Sequence, residues 1–257
     1  MPQAQTVIDA AARVLADART RKIQIANLPE SCRPTDIDAA LAIQKRTLEM
    51  IGEKKGGWKC GMPARPGMVM LAPVPAGSIY TTSPIAVVGV PGRIEPEIAF
   101  VFARDIPPRA TEYTGEEILA AVGDIRFVLE LIGARYVNIA DVTYHELLAD
   151  CYNNYGLFLG PSVPRALDGP VEALHVKITG PGGAIVDAVG KHPAGHPMNS
   201  LSWLVNYLST LGETVKAGQV ITTGSYAGIV EVPVGVPLRV ELGSLGIIDV
   251  ELTTAQR

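Results

Sequence analysis

Ile94-Glu95-Pro96-Glu97-Ile98-Ala99-Phe100-Val101-Phe102 is the stretch on which the fold of this chain turns. Its apolar run after position 97 predicts a strand buried on both faces. Glu95 and Glu97 then direct their carboxylates to one side, while Pro96 points to the other and has no N–H for a ladder. A third glutamate, Glu130, lies inside another apolar run, Phe127-Val128-Leu129-Glu130-Leu131-Ile132. On spacing alone, Glu-x-Glu is also the pattern of a solvated face of an antiparallel sheet. The apolar surroundings favour the other reading, because a buried carboxylate without a partner is costly or takes up a proton. Three of them call for a cation. An all-oxygen set suits a hard divalent ion such as Mg²⁺ or Mn²⁺, with about three octahedral positions left for water or a chelating ligand.

Outward from this stretch, short apolar runs separated by Pro and Gly predict strands at 68–71, 79–80, 85–90 and 126–132. Residues 173–179 and 184–189 read as a hairpin around Gly180-Pro181-Gly182-Gly183, and further strands are expected at 220–223, 230–232, 237–242 and 247–252. The first fifty residues differ. Apolar positions Val7, Ala11, Val14 and Leu15 predict a helix over 6–19, and a second one starts at a Thr35 or Asp36 cap and runs to Leu48. Helices are also expected over 114–122, with Glu116 and Glu117 in the first turn, and over 199–211. The organisation is a helical N-terminal region, residues 1–55, packed on a β-rich catalytic core, residues 56–257, as one functional unit; the class is α+β.

The chain has 257 residues, 47% hydrophobic and 19% charged, enough for a sizeable core. A net charge of -4 without a basic tract argues against nucleic acid as a partner. No apolar run approaches the roughly 20 residues of a membrane span, and no secretory leader pattern opens the chain. The expectation is a soluble, cytoplasmic protein without a membrane partner. Cys32, Cys60 and Cys151 are odd in number and widely spaced, which fits free thiols. Cys60 has no adjacent histidine to activate it, and Gly195-His196-Pro197 reads as the turn before a helix.

Five motifs occur in register along nearly the whole chain: Gly57-Trp58-Lys59-Cys60-Gly61, the Glu95-Pro96-Glu97 strand, Leu129-Glu130-Leu131-Ile132, then Gly195-His196-Pro197-Met198-Asn199-Ser200-Leu201-Ser202-Trp203-Leu204, and finally the segment from Leu211-Gly212-Glu213 through Thr223-Gly224-Ser225. Together they resemble the 2-keto-4-pentenoate hydratase and 4-oxalocrotonate decarboxylase family of the wider fumarylacetoacetate hydrolase superfamily. The resemblance implies a mixed β-roll in which Glu95, Glu97 and Glu130 hold Mg²⁺ or Mn²⁺. It further implies a lyase of aromatic catabolism that adds water to a small unsaturated 2-oxo or 2-hydroxy acid. Decarboxylation of a 4-oxalocrotonate-like diacid is the alternative, with Arg126 or Arg135 as the counter-charge for its second carboxylate; a non-catalytic ligand-binding partner subunit is another. A homo-oligomer, and association with a related family subunit, are implied in the same way.

By the same resemblance Lys59 is the catalytic lysine, stabilising charge or moving a proton, and Gly61, Asn154 and Ser225 contact the substrate. As plain sequence, Lys59 follows Lys54 and Lys55 and Ser225 sits in a turn, so surface and turn roles stand beside these. Two segments depart from the family pattern. The stretch 71–80 lacks the family's acidic residue after the lysine. The loop Ala149-Asp150-Cys151-Tyr152-Asn153-Asn154-Tyr155-Gly156 is bulkier and more aromatic than its Asp-Asn-Ala-Ser-like counterpart, with Tyr152 and Tyr155 as pocket walls or packing residues.

Overall fold

The computed structural model describes residues 4–163 and 167–254. The chain opens with α1 (Gln5–Thr20) and α2 (Ile37–Met50). Their apolar faces, including Ile8, Leu15 and Ile43, are buried, and the Asp36 carboxylate caps α2 by accepting from the Ala39 N–H at 2.8 Å. Strands β1 (Lys55–Gly61), β2 (Met70–Pro75), β3 (Ile79–Tyr80), β4 (Ile85–Val87) and β5 (Gly92–Phe102) follow. Next come α3 (Gly115–Leu119), β6 (Val122–Ile132), α4 (Tyr144–Ala149) and β7 (Asn154–Ser162). The last third holds β8 (Ala173–Gly180), β9 (Gly183–Lys191), α5 (Pro197–Thr210), β10 (Val220–Ser225), β11 (Val230–Val232), β12 (Pro237–Leu242) and β13 (Gly246–Thr254).

Mixed sheets with few helices result, as an α+β class requires. One sheet has the order β2-β1-β10-β5-β6-β7-β3, with β11 also paired to β5; the other runs β4-β13-β12-β8-β9. Strand β5 is central, and its two faces do different work. Ile94, Ile98, Phe100 and Phe102 join the main core, whereas Ala99 joins a small separate cluster with Val74, Val128, Leu157 and Val220. Alternation places Glu95 and Glu97 on the face of that second cluster. The apolar plug therefore forms the floor beneath the carboxylates and denies them water from below.

Several expectations need correction. The helix expected over 114–122 ends at Leu119, because residues from Val122 onward pair with Phe102 and Val101 and extend β6. The one turn that remains is closed by a capping box between Thr114 and Glu117. The first strand after α2 is β1, where the glycine-rich Lys55–Gly61 carries little strand signal, and β2 begins at Met70 rather than at 68. Pro73 and Pro75 fit β2 because it is an edge strand. The strand expected over 85–90 stops at Val87. Strand β7 and helix α4 were not foreseen. The hairpin of β8 and β9 turns through Pro181 and Gly182 alone, with Gly180 paired to Gly183.

Among the pairings that join the N-terminal and C-terminal halves of the chain, the parallel pair β1–β10 sets Gly57, Trp58 and Lys59 opposite Val220, Ile221 and Thr222. Gly57 is required there, since a Cβ would stand 2.0 Å from the Val220 carbonyl oxygen. We expect Gly57→Ala to lower stability by about 1–3 kcal/mol or more, as overpacking does. An unshifted urea midpoint would show that β1 and β10 can separate without cost.

Candidate metal centre

Neighbouring strands each send a side chain to one place. In sheet order these are Lys59 from β1, Thr222 from β10, Glu95 and Glu97 from β5, Glu130 from β6 and Asn154 at the start of β7. Glu95 is directly opposite Glu130 in the antiparallel register, and one ligand oxygen from each of Glu95, Glu97 and Glu130 lies within 4.8 Å of the others. Lys59 and Glu130 are three strands apart, roughly 14 Å in a flat sheet. Sheet curvature and the reach of two long side chains bring Nζ to 2.7 Å from the Glu130 Oε1.

Each deeply buried carboxylate is anchored through one oxygen. Glu97 Oε2 accepts from the Thr222 hydroxyl and from the Gly224 N–H at 2.8 Å. The β10 bulge between Thr222 and Ser225, with Gly224 at φ +117°, aims that N–H inward. Glu130 Oε1 accepts from Lys59 and from Asn154 Nδ2 at 2.8 Å. Glu97 Oε1, Glu130 Oε2 and both Glu95 oxygens have no hydrogen-bond partner among the described residues. Asn154, fully buried, also has an unpartnered Oδ1. Such a set of oxygens with one fixed side and one open side fits a hard divalent cation.

The electrostatics point the same way. Glu97 is 2% exposed and Glu130 1%. Burial, reinforced by the Glu130 charge and relieved in part by Lys59, raises the Glu95 carboxyl to about 7. Burial and the two neighbouring glutamates push Glu97 well above the usual carboxylate range, against the pull of Thr222 and Gly224. Lys59 is only 8% exposed, so it is no surface lysine. Burial alone would depress its pKa, but the combined pull of Glu130, Glu95 and Glu97 raises it. It is an ammonium.

The other residues singled out in the sequence take varied positions. Gly61 stands two residues beyond Lys59 on β1, at its end. Ser225 pairs with Glu97 across the sheet, but its hydroxyl closes a turn, donating to the Gly228 carbonyl at 3.1 Å and accepting from the Ala227 N–H at 3.2 Å. The Cys60 thiol is buried against the Ser200 and Thr222 carbonyls, and burial raises it well above its ordinary value, as an inert cysteine should be. His196 caps α5 through Nδ1. Arg126 pairs with Asp124 at 2.8 Å, and Arg135 is buried against Asp150 at 2.5 Å. Neither arginine is a free counter-charge.

A feature not foreseen is the backbone between α4 and β7. Cys151, Tyr152 and Asn153 have φ of +58°, +48° and +61°, three consecutive left-handed residues without a glycine. Such a conformation costs roughly 1–2 kcal/mol per residue and is held only where surrounding contacts impose it. The Tyr152 carbonyl accepts from Lys59 Nζ at 3.3 Å, and its hydroxyl donates to the Val69 carbonyl at 3.1 Å. Tyr144 adds two bonds to the same residue, donating to Val69 O at 3.0 Å and accepting from its N–H at 2.7 Å. Tyr152 thus ties the lysine to the end of the 62–69 segment. Tyr155 packs in the core.

No protein-family model matches the chain. A 2-keto-4-pentenoate hydratase of Paraburkholderia xenovorans is 28% identical over 179 residues, which span 68% of this chain and 64% of that protein, just under two thirds of its length. A 2-keto-4-pentenoate hydratase of Paraburkholderia phymatum is 25% identical over 252 residues, 93% of this chain and 95% of the relative. Among solved structures, 4-oxalocrotonate decarboxylase from Pseudomonas putida G7, complexed with magnesium and adipate, superposes with a TM-score of 0.80 over 98% of this chain and 99% of that one, at 19% identity. No helix among the described residues is long and apolar enough to cross a membrane. In sequence the chain is similar to the 2-keto-4-pentenoate hydratases and in fold to 4-oxalocrotonate decarboxylase, both of the fumarylacetoacetate hydrolase superfamily, as its motifs indicate.

Proposed function

We propose that this chain is a metal-dependent hydro-lyase that converts a small unsaturated 2-hydroxy acid, of the 2-hydroxypenta-2,4-dienoate type, into a 4-hydroxy-2-oxo acid. The observation that carries the reading is the meeting of three glutamates with a buried ammonium, Lys59 Nζ at 2.7 Å from Glu130, above an apolar floor. Glu95, Glu97 and Glu130 would hold Mg²⁺ or Mn²⁺, which when bound supplies Lewis acidity toward the 2-oxygen of a chelating acid.

The chain's own groups supply the rest. Ketonisation of the dienol puts a proton on C5; water then adds its hydroxyl at C4 and a proton at C3. Lys59 enters as an ammonium, which makes it a proton donor and a stabiliser of negative charge on the 2-oxygen rather than a base. Asn154 holds Glu130 in place and keeps its Oδ1 for a ligand. Ser225, its hydroxyl engaged in the turn, would meet the substrate carboxylate through its backbone, and so would Gly61, where the Met70 side chain fills the space that a side chain would take. Decarboxylation of a 4-oxalocrotonate-like diacid is less well served, because Arg126 and Arg135 are both committed to aspartates. Homo-oligomerisation belongs to the same reading, and the apolar Ile185 and Val189 exposed on β9 offer it a surface.

Metal-stripped protein given freshly generated 2-hydroxypenta-2,4-dienoate should form 4-hydroxy-2-oxopentanoate only when Mg²⁺ or Mn²⁺ is restored; release of CO₂ from an oxalocrotonate-like acid instead would select the alternative. Glu130→Ala should abolish the metal-dependent rate in a folded protein. Lys59→Ala should reduce kcat by about 10²–10⁴-fold, the usual worth of a proton-transferring group, with a much smaller change in metal affinity. An unchanged rate in either variant removes that residue from the mechanism.

The raised carboxyls predict a proton-linked affinity. In metal-free protein the Glu95 carboxyl is raised to about 7 and that of Glu97 is pushed well above the usual carboxylate range, and a cation must displace the protons they retain. Affinity for Mn²⁺ should rise with pH, and calorimetry in buffers of different ionisation enthalpy should show about one proton or more released at pH 6, declining above 7 as Glu95 ionises on its own. The stability sign follows: the folded protein holds a proton that the unfolded chain loses near 4.5, so the metal-free fold weakens as pH rises from 4.5 toward 7. Affinity independent of pH between 6 and 8 would place the ion elsewhere.

A further inference from the structure

We propose that the buried Arg135–Asp150 pair is a positioning device for Lys59, acting through the left-handed turn Cys151–Asn153. The two residues bracket the turn from both ends. Asp150 Oδ1 accepts from Arg135 Nε at 2.5 Å and Oδ2 from the Arg135 backbone N–H at 3.0 Å. The guanidinium also donates through Nη2 to the Asp150 carbonyl at 2.7 Å, just before the turn, and through Nη1 to the Asn154 carbonyl at 2.9 Å, just after it. A second Nη1 bond reaches the Gly133 carbonyl, and the Gly133 N–H returns to the Asn153 carbonyl at 2.8 Å. Within the turn itself the backbone bond is Asn153 N–H to the Asp150 carbonyl, at 3.3 Å.

The chain's local preference opposes this conformation, since neither Cys151 nor Tyr152 is of a type that readily adopts positive φ. The fork of a guanidinium, rigid and with donors in several directions, is suited to hold two carbonyls that flank such a turn. What the turn delivers is specific. Its middle carbonyl, Tyr152 O, accepts from Lys59 Nζ, and the residue that follows it, Asn154, donates to Glu130 Oε1, the same oxygen that Lys59 grips. Arg135 and Asp150 are 3% and 2% exposed and touch none of the three glutamates. They act at a distance, by fixing where the ammonium sits. The consequence for turnover rests on the proposed role of Lys59; the consequence for Lys59's mobility does not.

The experiment compares Asp150→Asn, Asn153→Val and Asn153→Gly, in the Lys59 protein and in a Lys59→Ala background. Four quantities are read: kcat and KM with the dienoate, Mn²⁺ affinity, and labelling of Lys59 in metal-free protein by trinitrobenzenesulfonate, located by peptide mass spectrometry. Asp150→Asn should lower kcat by about tenfold or more while KM and Mn²⁺ affinity move by less than about threefold, and should lose that effect once Lys59 is alanine. Lys59 labelling should rise by about fivefold or more as the turn loosens. Asn153→Val, whose branched side chain opposes left-handed backbone, should repeat both effects; Asn153→Gly, which permits it, should leave both within about twofold. The Asn153 pair decides the matter should Asp150→Asn fail to fold. Equal losses of kcat with and without Lys59, or unchanged labelling in a folded variant, would overturn the proposal. Should the wild-type protein not hydrate the dienoate, labelling alone decides: a rise upholds the clamp while the assignment of the reaction falls.

Discussion

Negative charge crowded into a place that water cannot reach from below is the constraint to which the rest of this structure answers. Glu97 and Glu130 lie almost wholly out of solvent beside Glu95, on a floor of Val74, Ala99, Val128, Leu157 and Val220. Three ionised carboxylates could not remain there unassisted. The fold meets the charge with one ammonium from β1, one hydroxyl and one backbone N–H from β10, and one amide from β7. These anchors fix one oxygen of each deep carboxylate and leave its twin open, so the same contacts that make the cluster tolerable also make it directional.

The cluster of three glutamates was legible in the sequence because it obeys the simplest rule of a strand: two residues apart means one face, and an apolar neighbourhood means burial. Glu130 yielded to the same logic. Lys59 did not, since a lysine after Lys54 and Lys55 has nothing in its own neighbourhood to mark it as buried; family motifs alone singled it out. The glycine-rich β1 and the β7 segment beginning Asn-Tyr-Gly carry weak strand propensity and owe their form to pairing with β10 and β6. Conversely, the helix expected over 114–122 was cut short because Val122 had a ladder partner in β5, a tertiary preference that local pattern cannot reveal.

The least legible element was the left-handed turn. Its residues are Cys, Tyr and Asn, and its clamp is an ion pair closed across fifteen positions of chain, with no spacing that announces it. Sequence marked this loop as bulkier than its family counterpart, and the structure shows where the bulk goes. Tyr144 and Tyr152 converge on Val69, at the end of the segment that follows Gly61, and so connect the wall of the site to the strand that bears Lys59.

The parallel pairing of β1 with β10 carries a kinetic implication. Lys59 is made early in synthesis, and its ladder neighbour Thr222 emerges from the ribosome only after more than half of the chain has followed it. A nascent chain therefore holds strand β1 with an open edge and its lysine without the carboxylate geometry that suits it, until the C-terminal third arrives to fill the gap between β1 and β5. Contacts of such long sequence separation slow folding and leave unpaired strands exposed in the interval. A chain that stops short of β10 keeps the three glutamates on β5 and β6 but lacks Thr222 and Gly224, which anchor Glu97, and the strand that seats β1 beside them.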